Sequence, residues 1–570
     1  MSNTSWDVVI IGGGPGGSTT GSLLRKYRSD LRVLIIERET FPRDHIGESQ
    51  LPVISDVLNE MGCWDKVETA NFPIKVGATF RWGKTPELWD FEFLPIKHFK
   101  DEPRPAKFKG QRRQTAFQVD RSIYDTILLD HAAELGCTVR QGTGVSTVHR
   151  DGDRVTGVTL STGETVTATY YIDASGNAAV LRRAMNVPID CPTLLKNIAI
   201  YDYWENTDWS VEIGVGGTRI QVMSVGYGWI WFIPIGPTRT SIGLVCPAAY
   251  YKQSGKTPEQ LYDEAIGSEV TIAKHVAKGT RSGTIRTTND WSFVAERTTG
   301  DNWFLVGECA GFADPILSAG LSLTSTGARE LAYTILELMR GEHDAAWLTG
   351  NYCRLQRERV RQHMRFAEYW YAANGQFSDL KDHCQAIARD AGLDLSANQS
   401  WAWLAQGDFA LDVAGQAGLG GYSLAAVKGI TAYLADEAAV WQLNDVNVLH
   451  VNLDGSTRET VPVYEGGRIL AATAYLRDNH RLVAIGQYEL LLRLLANPID
   501  VATLLKQLQA FFAAREHPQH VGVSVKHAMQ SLEVMLSEGW VKGSFNAALP
   551  RVNLVTPREG EYIHTNRDAR

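Results

Sequence analysis

The sequence predicts an α/β protein that opens with a strand–turn–helix–strand unit and closes with a mostly helical C-terminal region. Three observations carry this. WDVVIIGGGPGGSTTGSLLRKY, from Trp6, is an apolar strand, a glycine turn and a helical pattern in succession. A second strand, LRVLIIE, ends in Glu37, which stands 20 positions after Gly17. After about Arg365 such strand–turn segments stop and helical, aromatic-rich stretches such as HMRFAEYWYAANGQF take over.

The first unit carries the most information. Gly12, Gly14 and Gly17 fit the spacing G-x-G-x-x-G. The first glycine makes the tight turn, the second lets backbone approach a pyrophosphate, and the third lets helix and strand pack closely. The helix N-terminus then faces the phosphates with its dipole. Glu37 is placed to hold a ribose hydroxyl pair. A glycine turn alone is an ordinary strand–helix junction; here strand, turn, helix, second strand and acid agree.

Bulk properties bound the rest. With 570 residues the chain has room for two or three domains, and 44% hydrophobic with 21% charged residues is ordinary globular composition. A net charge of −8 argues against bulk attraction to nucleic acid or to a membrane surface. Seven cysteines with no CxxC pair read as reduced residues of a cytoplasmic protein, with no zinc site or other metal expected. MSNTSWD lacks a basic leader, and no uncharged apolar run is long enough to cross a bilayer.

Two later segments, YYIDASGNAAVLRR with Asp173 and DNWFLVGECAGFADPILSAGLS with Glu308 and Asp314, resemble the second and third fingerprints of the FAD-dependent aromatic monooxygenase superfamily. That resemblance implies an FAD-binding, Rossmann-like fold of the aromatic-hydroxylase type with an interleaved substrate β-sheet. Glu308 stands where the family usually has Asp. FQVDRSIYDTILLDHA places Arg121 at the family's arginine before a helix, although a surface arginine is the plainer reading of that residue alone.

GYGWIWFIPIG then separates subfamilies. Trp229 and Trp231 alternate on one face of a strand, and with Ile233 and Pro234 they match W-x-W-x-I-P. Taken alone, this is a core strand ending at a sheet edge. Within the superfamily, it resembles the signature of the flavin-dependent halogenases. Two indoles beside the flavin chamber would wall it off from water and organic substrate. FPRDHIGESQLP, with Arg43, Glu48 and Ser49, looks like the family's element near the flavin. NFPIKVGATFRWG offers Lys75, with apolar neighbours, as the halogenase lysine. DPILSAGLS offers Ser318, Ala319 and Gly320 at a helix start, where backbone N–H groups can hold a halide. Leu317 precedes the serine where tryptophan-specific halogenases carry glutamate, so the chain is more similar to the phenol and pyrrole group or the chloramphenicol type.

The resemblance implies a two-component oxidoreductase of secondary metabolism and antibiotic biosynthesis. A separate flavin reductase supplies reduced FAD. Oxygen and halide, chloride or bromide, then give hypohalous acid, which Lys75 hydrogen-bonds or takes up as a haloamine. The acceptor is an electron-rich phenol or pyrrole, free or tethered to an acyl or peptidyl carrier protein. The same-fold alternative is an aromatic hydroxylase or reductase, which would lack the tryptophan wall and Lys75. A second alternative is a non-catalytic flavin-binding regulator.

The expected core is 1–365, with flavin parts at about 1–75, 110–185 and 285–345 and substrate-sheet parts at about 76–109 and 186–284; 366–570 is the C-terminal region. Within it, 486–545 reads as three helices and a strand, like a winged helix. Five basic and five acidic residues there make a poor phosphate footprint, so packing or docking is expected and no nucleic acid. Lys97 to Arg113 holds seven Lys/Arg and two acids and reads as a solvated loop, or as a docking surface for an acidic partner.

Overall fold

The structure, a computed structural model, describes residues 5–94, 99, 102–209, 216–391, 424–478, 480–554 and 563–565. The chain divides into two compact units. One comprises Met1–Ala391, Tyr464–Ile469 and His564–Arg570; the other comprises Gly392–Val463 and Leu470–Ile563. The helix Ala345–Ala372 runs unbroken through the expected boundary at 365.

In the first unit, strand Ser5–Ile11 lies between Val33–Ile36 and Thr165–Asp173, all parallel. Thr138–Arg140 extends this sheet on one side and Trp303–Leu305 on the other. Val8, Val9, Ile10 and Leu34 are fully buried, as a parallel sheet covered on both faces requires. Helix Pro15–Tyr27 follows the glycine turn with Gly14 as N-cap, Pro15 in its first turn and no acid there. That composition leaves the positive end of the helix unneutralised.

Gly12 has φ 110°, and a Cβ on it would meet the Ala174 carbonyl oxygen at 2.3 Å; a Cβ on Gly17 would meet the Gly12 carbonyl oxygen at 1.9 Å. Both positions therefore exclude any other residue, by close approach of strand to turn and of helix to strand.

The second sheet of this unit has ten strands. Its centre runs Lys196–Glu205, Arg239–Pro247, Gly228–Pro234, Gly217–Val225, Ile74–Arg81 and Trp89–Glu92. Ile74–Arg81 and Gly217–Val225 are parallel, with a break in register: Thr218 faces Lys75, but Arg219 faces Gly77. Val76 is the extra residue of a β-bulge, so Lys75 and Gly77 point to opposite faces. On one face Thr79 bonds Asp90 at 2.6 Å, and Arg219 pairs with Asp90 and Glu92, each at 2.6 Å. Lys75 is turned to the other.

Within 97–113, Arg112 is buried and Arg104 half-buried, and both pair with the buried Glu68. Those two are structural, because a charge leaves water only when paired; Lys107, Lys109 and Arg113 are exposed. Lys97, His98, Lys100 and Asp101 lie outside the described residues.

The second unit is not purely helical. Thr457–Glu465, Arg468–Arg477 and His480–Val483 form a three-stranded sheet, of which Tyr464–Ile469 belongs to the first unit. Helices Gly486–Leu494, Val501–Ala513 and Pro518–Ser537 lead into strand Val541–Ser544 in the predicted order. That strand pairs with the upstream Val448–Val451; among the described residues no following wing strand pairs with it. Leu491, Leu504, Leu508, Leu532 and Trp540 make its dry core. Among the described residues, no helix is long and apolar enough to cross a membrane.

Candidate active site

A cavity of about 700 Å³ lies in the first unit. Gly12, Gly14, Glu37, Arg43, Glu48, Ser49, Arg121 and Glu308 line it, as do Trp229, Trp231, Ile233, Ser318, Ala319 and Gly320. Residues scattered from 12 to 320 therefore converge on one space. Gly17, Lys75, Asp173, Asp314 and Pro234 do not line it.

At the nucleotide end, the Glu37 carboxylate accepts from the Gly13 N–H at 2.7 Å and from the Glu39 N–H at 2.9 Å. It thus braces the glycine turn while facing the cavity. A Cβ on Gly14 would meet the Arg43 guanidinium at 3.5 Å, so the gap between helix start and guanidinium suits an anion. Arg43 and Arg121 share one carboxylate, Asp125: Arg43 Nη1 at 3.0 Å, and Arg121 through two nitrogens at 2.7 and 2.9 Å. Arg121 also donates to the carbonyls of Ile46 and Gly47, at 2.8 and 3.0 Å. These bonds tie the 46–47 loop to a residue that lines the cavity; Arg121 is buried, not a surface arginine. Glycine turn, helix N-terminus, acid and paired arginines fit FAD, whose pyrophosphate and ribose need those groups.

Asp173 takes a different part from the cofactor contact expected of it. One oxygen accepts from the Ser175 N–H and hydroxyl at 3.1 and 2.6 Å, the other from the Leu181 and Arg182 N–H groups at 2.7 and 3.1 Å. One oxygen thus holds the Ser175 turn and the other the first N–H groups of the short helix Val180–Ala184. Asp314 likewise turns inward: its Oδ1 accepts from the Ile316 N–H at 2.9 Å and closes the turn Pro315–Leu317.

The two indoles form one wall. Trp229 and Trp231 lie with ring centroids 6.2 Å apart, and both N–H groups are tied from behind. Trp231 donates to Ser241 Oγ at 3.1 Å, and Trp229 to the Tyr371 hydroxyl at 2.8 Å. Opposite Trp231 stands Gly243, where a Cβ would meet the indole at 2.2 Å. Sequence reasoning missed Gly243, Ser241 and Tyr371, whose partners lie on other strands or helices.

Glu48 is fully buried; burial pushes its carboxyl up to about 7, against the opposing pull of the Ser241 and Tyr203 hydroxyls. Burial also raises Glu308, against the charge of Arg121. His45, another lining residue missed in the sequence, is pushed down to about 4 by burial and by Arg121, and is neutral at pH 7.

Lys75 stands behind Ser318. Its Nζ is 3.3 Å from Ser318 Oγ and 5.5 Å from the centroid of the Phe93 ring. It is 2% exposed, and burial alone brings its amine down to about 7. Among the described residues it has no ion pair. Ser318, at φ 58°, ends the turn that starts at Asp314; helix Gly320–Arg340 begins two residues later, and its first N–H groups have no intrahelical partner. Amine, hydroxyl and free N–H groups thus stand together at the edge of the cavity, where an anion or a small polar oxidant can be held. Among the described residues, no group of three or more His, Cys, Asp or Glu could hold a metal ion.

Comparison with known proteins agrees with this geometry. The FAD binding domain family matches residues 5–367. The chain is 30% identical over 385 residues to the 1H-pyrrole-2-carbonyl-(peptidyl-carrier protein) chlorinase of Pseudomonas fluorescens, covering 66% of this chain and 85% of that one. It is 32% identical over 359 residues to the tryptophan 2-halogenase of Chondromyces crocatus, covering 62% and 65%. Among solved structures, the myxobacterial chondrochloren halogenase CndH superposes with TM-score 0.59 at 29% identity, over 70% of this chain and 92% of that one. The flavin-dependent halogenase CmlS superposes with TM-score 0.71 over 98% and 99%; at 24% identity that likeness speaks for the fold.

Proposed function

The chain belongs to the FAD binding domain family, and within it to the flavin-dependent halogenases, and we propose that it makes hypohalous acid and delivers it through Lys75 to an electron-rich aromatic ring. The observation that carries this reading is the buried amine at the cavity edge: 2% exposed, brought to about 7, and held 3.3 Å from Ser318. A structural lysine has no reason to be there, since burying an ammonium without a carboxylate costs several kcal/mol of desolvation.

Gly12, Gly14, Glu37, Arg43 and Arg121 would hold FAD, and reduced FAD with oxygen supplies the two-electron oxidation of halide, the second oxygen atom leaving as water. A separate flavin reductase provides the reduced form. Ala319 and Gly320 hold the halide by their N–H groups, with Ser318 beside them. Trp229 and Trp231 keep bulk water and the organic substrate out of the chamber. Lys75 receives the hypohalous acid, donating a hydrogen bond to it or, as the neutral amine, taking the halogen as a haloamine with loss of water. The ring carbon then accepts the halogen and loses its proton.

The relatives support a substrate class. The P. fluorescens chlorinase and a brominase of Pseudoalteromonas luteoviolacea are named for pyrrole carried on a peptidyl carrier protein. A pyrrole or phenol, carrier-tethered or free, is the substrate proposed here. The test is incubation with FAD, a flavin reductase, NADH and bromide over free and carrier-bound pyrroles, phenols and indoles. The bromine isotope pattern in a product is the expected result, and its loss in Lys75→Ala at undiminished FAD binding assigns the lysine. A hydroxylated, halogen-free product would overturn the reading in favour of a hydroxylase. Persistent halogenation by Lys75→Ala would remove the lysine from it.

A further inference from the structure

The last turn of helix Ala345–Ala372 brings Tyr371 between two parts of the site that lie far apart in the sequence. Its hydroxyl accepts from Trp229 Nε1 at 2.8 Å and from Asn197 Nδ2 at 3.1 Å, and donates to Asp314 Oδ2 at 3.4 Å. A phenolic hydroxyl offers one hydrogen and two lone pairs, and all are engaged. Asn197 also donates to Asp314 Oδ2 at 3.1 Å. The other oxygen of Asp314 accepts from the Ile316 N–H at 2.9 Å, in the turn that ends at Ser318. Hydrogen bonds therefore run from the indole wall, through one phenol, to the turn presenting the Lys75 partner and the N–H groups of Ala319 and Gly320.

We propose that Tyr371 is a positioning residue: by joining Trp229 to Asp314 it fixes the turn whose backbone N–H groups receive the halide. The inference rests on the halogenase reading above and extends it to a residue on a different helix. Packing does not account for the hydroxyl. The ring meets Trp82 edge-on at 6.1 Å and Phe377 at 6.1 Å, contacts that a phenylalanine would keep. The turn, by contrast, needs a restraint. Ser318 is a non-glycine residue in the left-handed region, a conformation that costs on the order of 1–3 kcal/mol and persists only where its surroundings enforce it.

The experiment is a double-mutant cycle with Tyr371→Phe and Trp229→Phe in the full chain loaded with FAD. Bromide binding is read by quenching of protein and flavin fluorescence, FAD affinity by titration, and bromide KM and kcat on the best acceptor of the panel. Tyr371→Phe should raise the bromide Kd and KM about five- to tenfold, leave FAD affinity within about twofold, and change kcat at saturating bromide little. The double variant should be no worse than the worse single, because both break one path. Unchanged bromide Kd in Tyr371→Phe, or effects that multiply in the double variant, would overturn the proposal. Should Tyr371→Phe fail to fold, Trp229→Phe, which removes the indole donor from the pair, must weaken bromide binding in the same direction. If the wild type binds bromide but halogenates no acceptor, the halogenase reading falls while the bromide titration still decides the role of Tyr371.

Discussion

Two lysines are buried to the same degree, one in each unit, and they are treated in opposite ways. Lys75 and Lys428 are each 2% exposed. Lys428 pairs with Glu533, whose carboxylate also accepts from the Gln442 and Leu443 N–H groups at 2.9 and 3.0 Å, and lies 4.6 Å from the Trp441 ring centroid. Burial lowers its amine, and Glu533 pulls it back up. Lys75 is given a hydroxyl and an aromatic face, and nothing opposes the effect of burial. A paired lysine stays an ammonium and holds a fold together. An unpaired one is brought to where it can lose its proton near neutrality, which suits a nucleophile and serves no structural end.

The largest expected difference is in turnover. Lys75→Ala should lose at least about a hundredfold in halogenated product, whereas Lys428→Ala should leave product per folded molecule within about twofold. Mass spectrometry on matched, FAD-saturated samples checks both, and equal losses would erase the distinction. Stability should behave the other way round. Removing one partner of a buried pair costs about 3–5 kcal/mol, so Lys428→Ala should lower the urea midpoint. Lys75→Met should instead raise it.

The sign of that rise sharpens the contrast. Lys75 titrates at about 7 in the fold against 10.5 unfolded, so between those values the unfolded chain binds more protons and wild-type stability grows with pH. The gain from Lys75→Met should be a few kcal/mol below pH 7 and fade as pH approaches 10.5. Urea titrations at pH 6.5 and 9.5 read it; a gain independent of pH would mean that Lys75 is not buried as a charge. If the neutral amine carries the halogen, kcat should climb as pH rises through about 7.

The smallest effect concerns the wall. Gly243→Ala puts a methyl 2.2 Å from the Trp231 ring, and an overpacked site of this kind costs about 1–3 kcal/mol. Shifted indoles should release more hydrogen peroxide per NADH, by about twofold, with FAD affinity little changed. Coupling measured with a peroxide probe decides it, and undisturbed coupling would reduce the wall to a core strand.

Local pattern explains what the sequence disclosed. Gly12, Gly14, Gly17 and Glu37 act through neighbours within one strand–helix–strand unit, so their spacing carries the geometry. The tryptophan pair, on one face of its strand, and Lys75 were legible in their motifs, while the side of the sheet that faces the cavity was not. Asp173 shows the limit: an acid after a strand and before a glycine reads alike whether it faces a ligand or caps a helix, and here it caps. Tyr371 acts on Trp229 from a distant helix, and Ser241 and Gly243 act on Trp231 across a hairpin, so nothing within one strand marks them. The strands Thr457–Glu465 and Arg468–Arg477 did leave a signal, β-branched and aromatic residues on both sides of the Gly466–Gly467 turn, overshadowed by helical stretches before and after.

The bulge at Val76 has a consequence for the chemistry of the strand. Pairing of Thr218 with Lys75 and of Arg219 with Gly77 means that the way one residue is absorbed sets which side of the sheet receives the amine. Were Val76 held in a regular pleat, strict alternation would turn Lys75 to the face of Gly77, among Arg219, Asp90 and Glu92, where it would become one more ion-paired cation. A lysine that stabilises and a lysine that reacts are separated here by a single step of register.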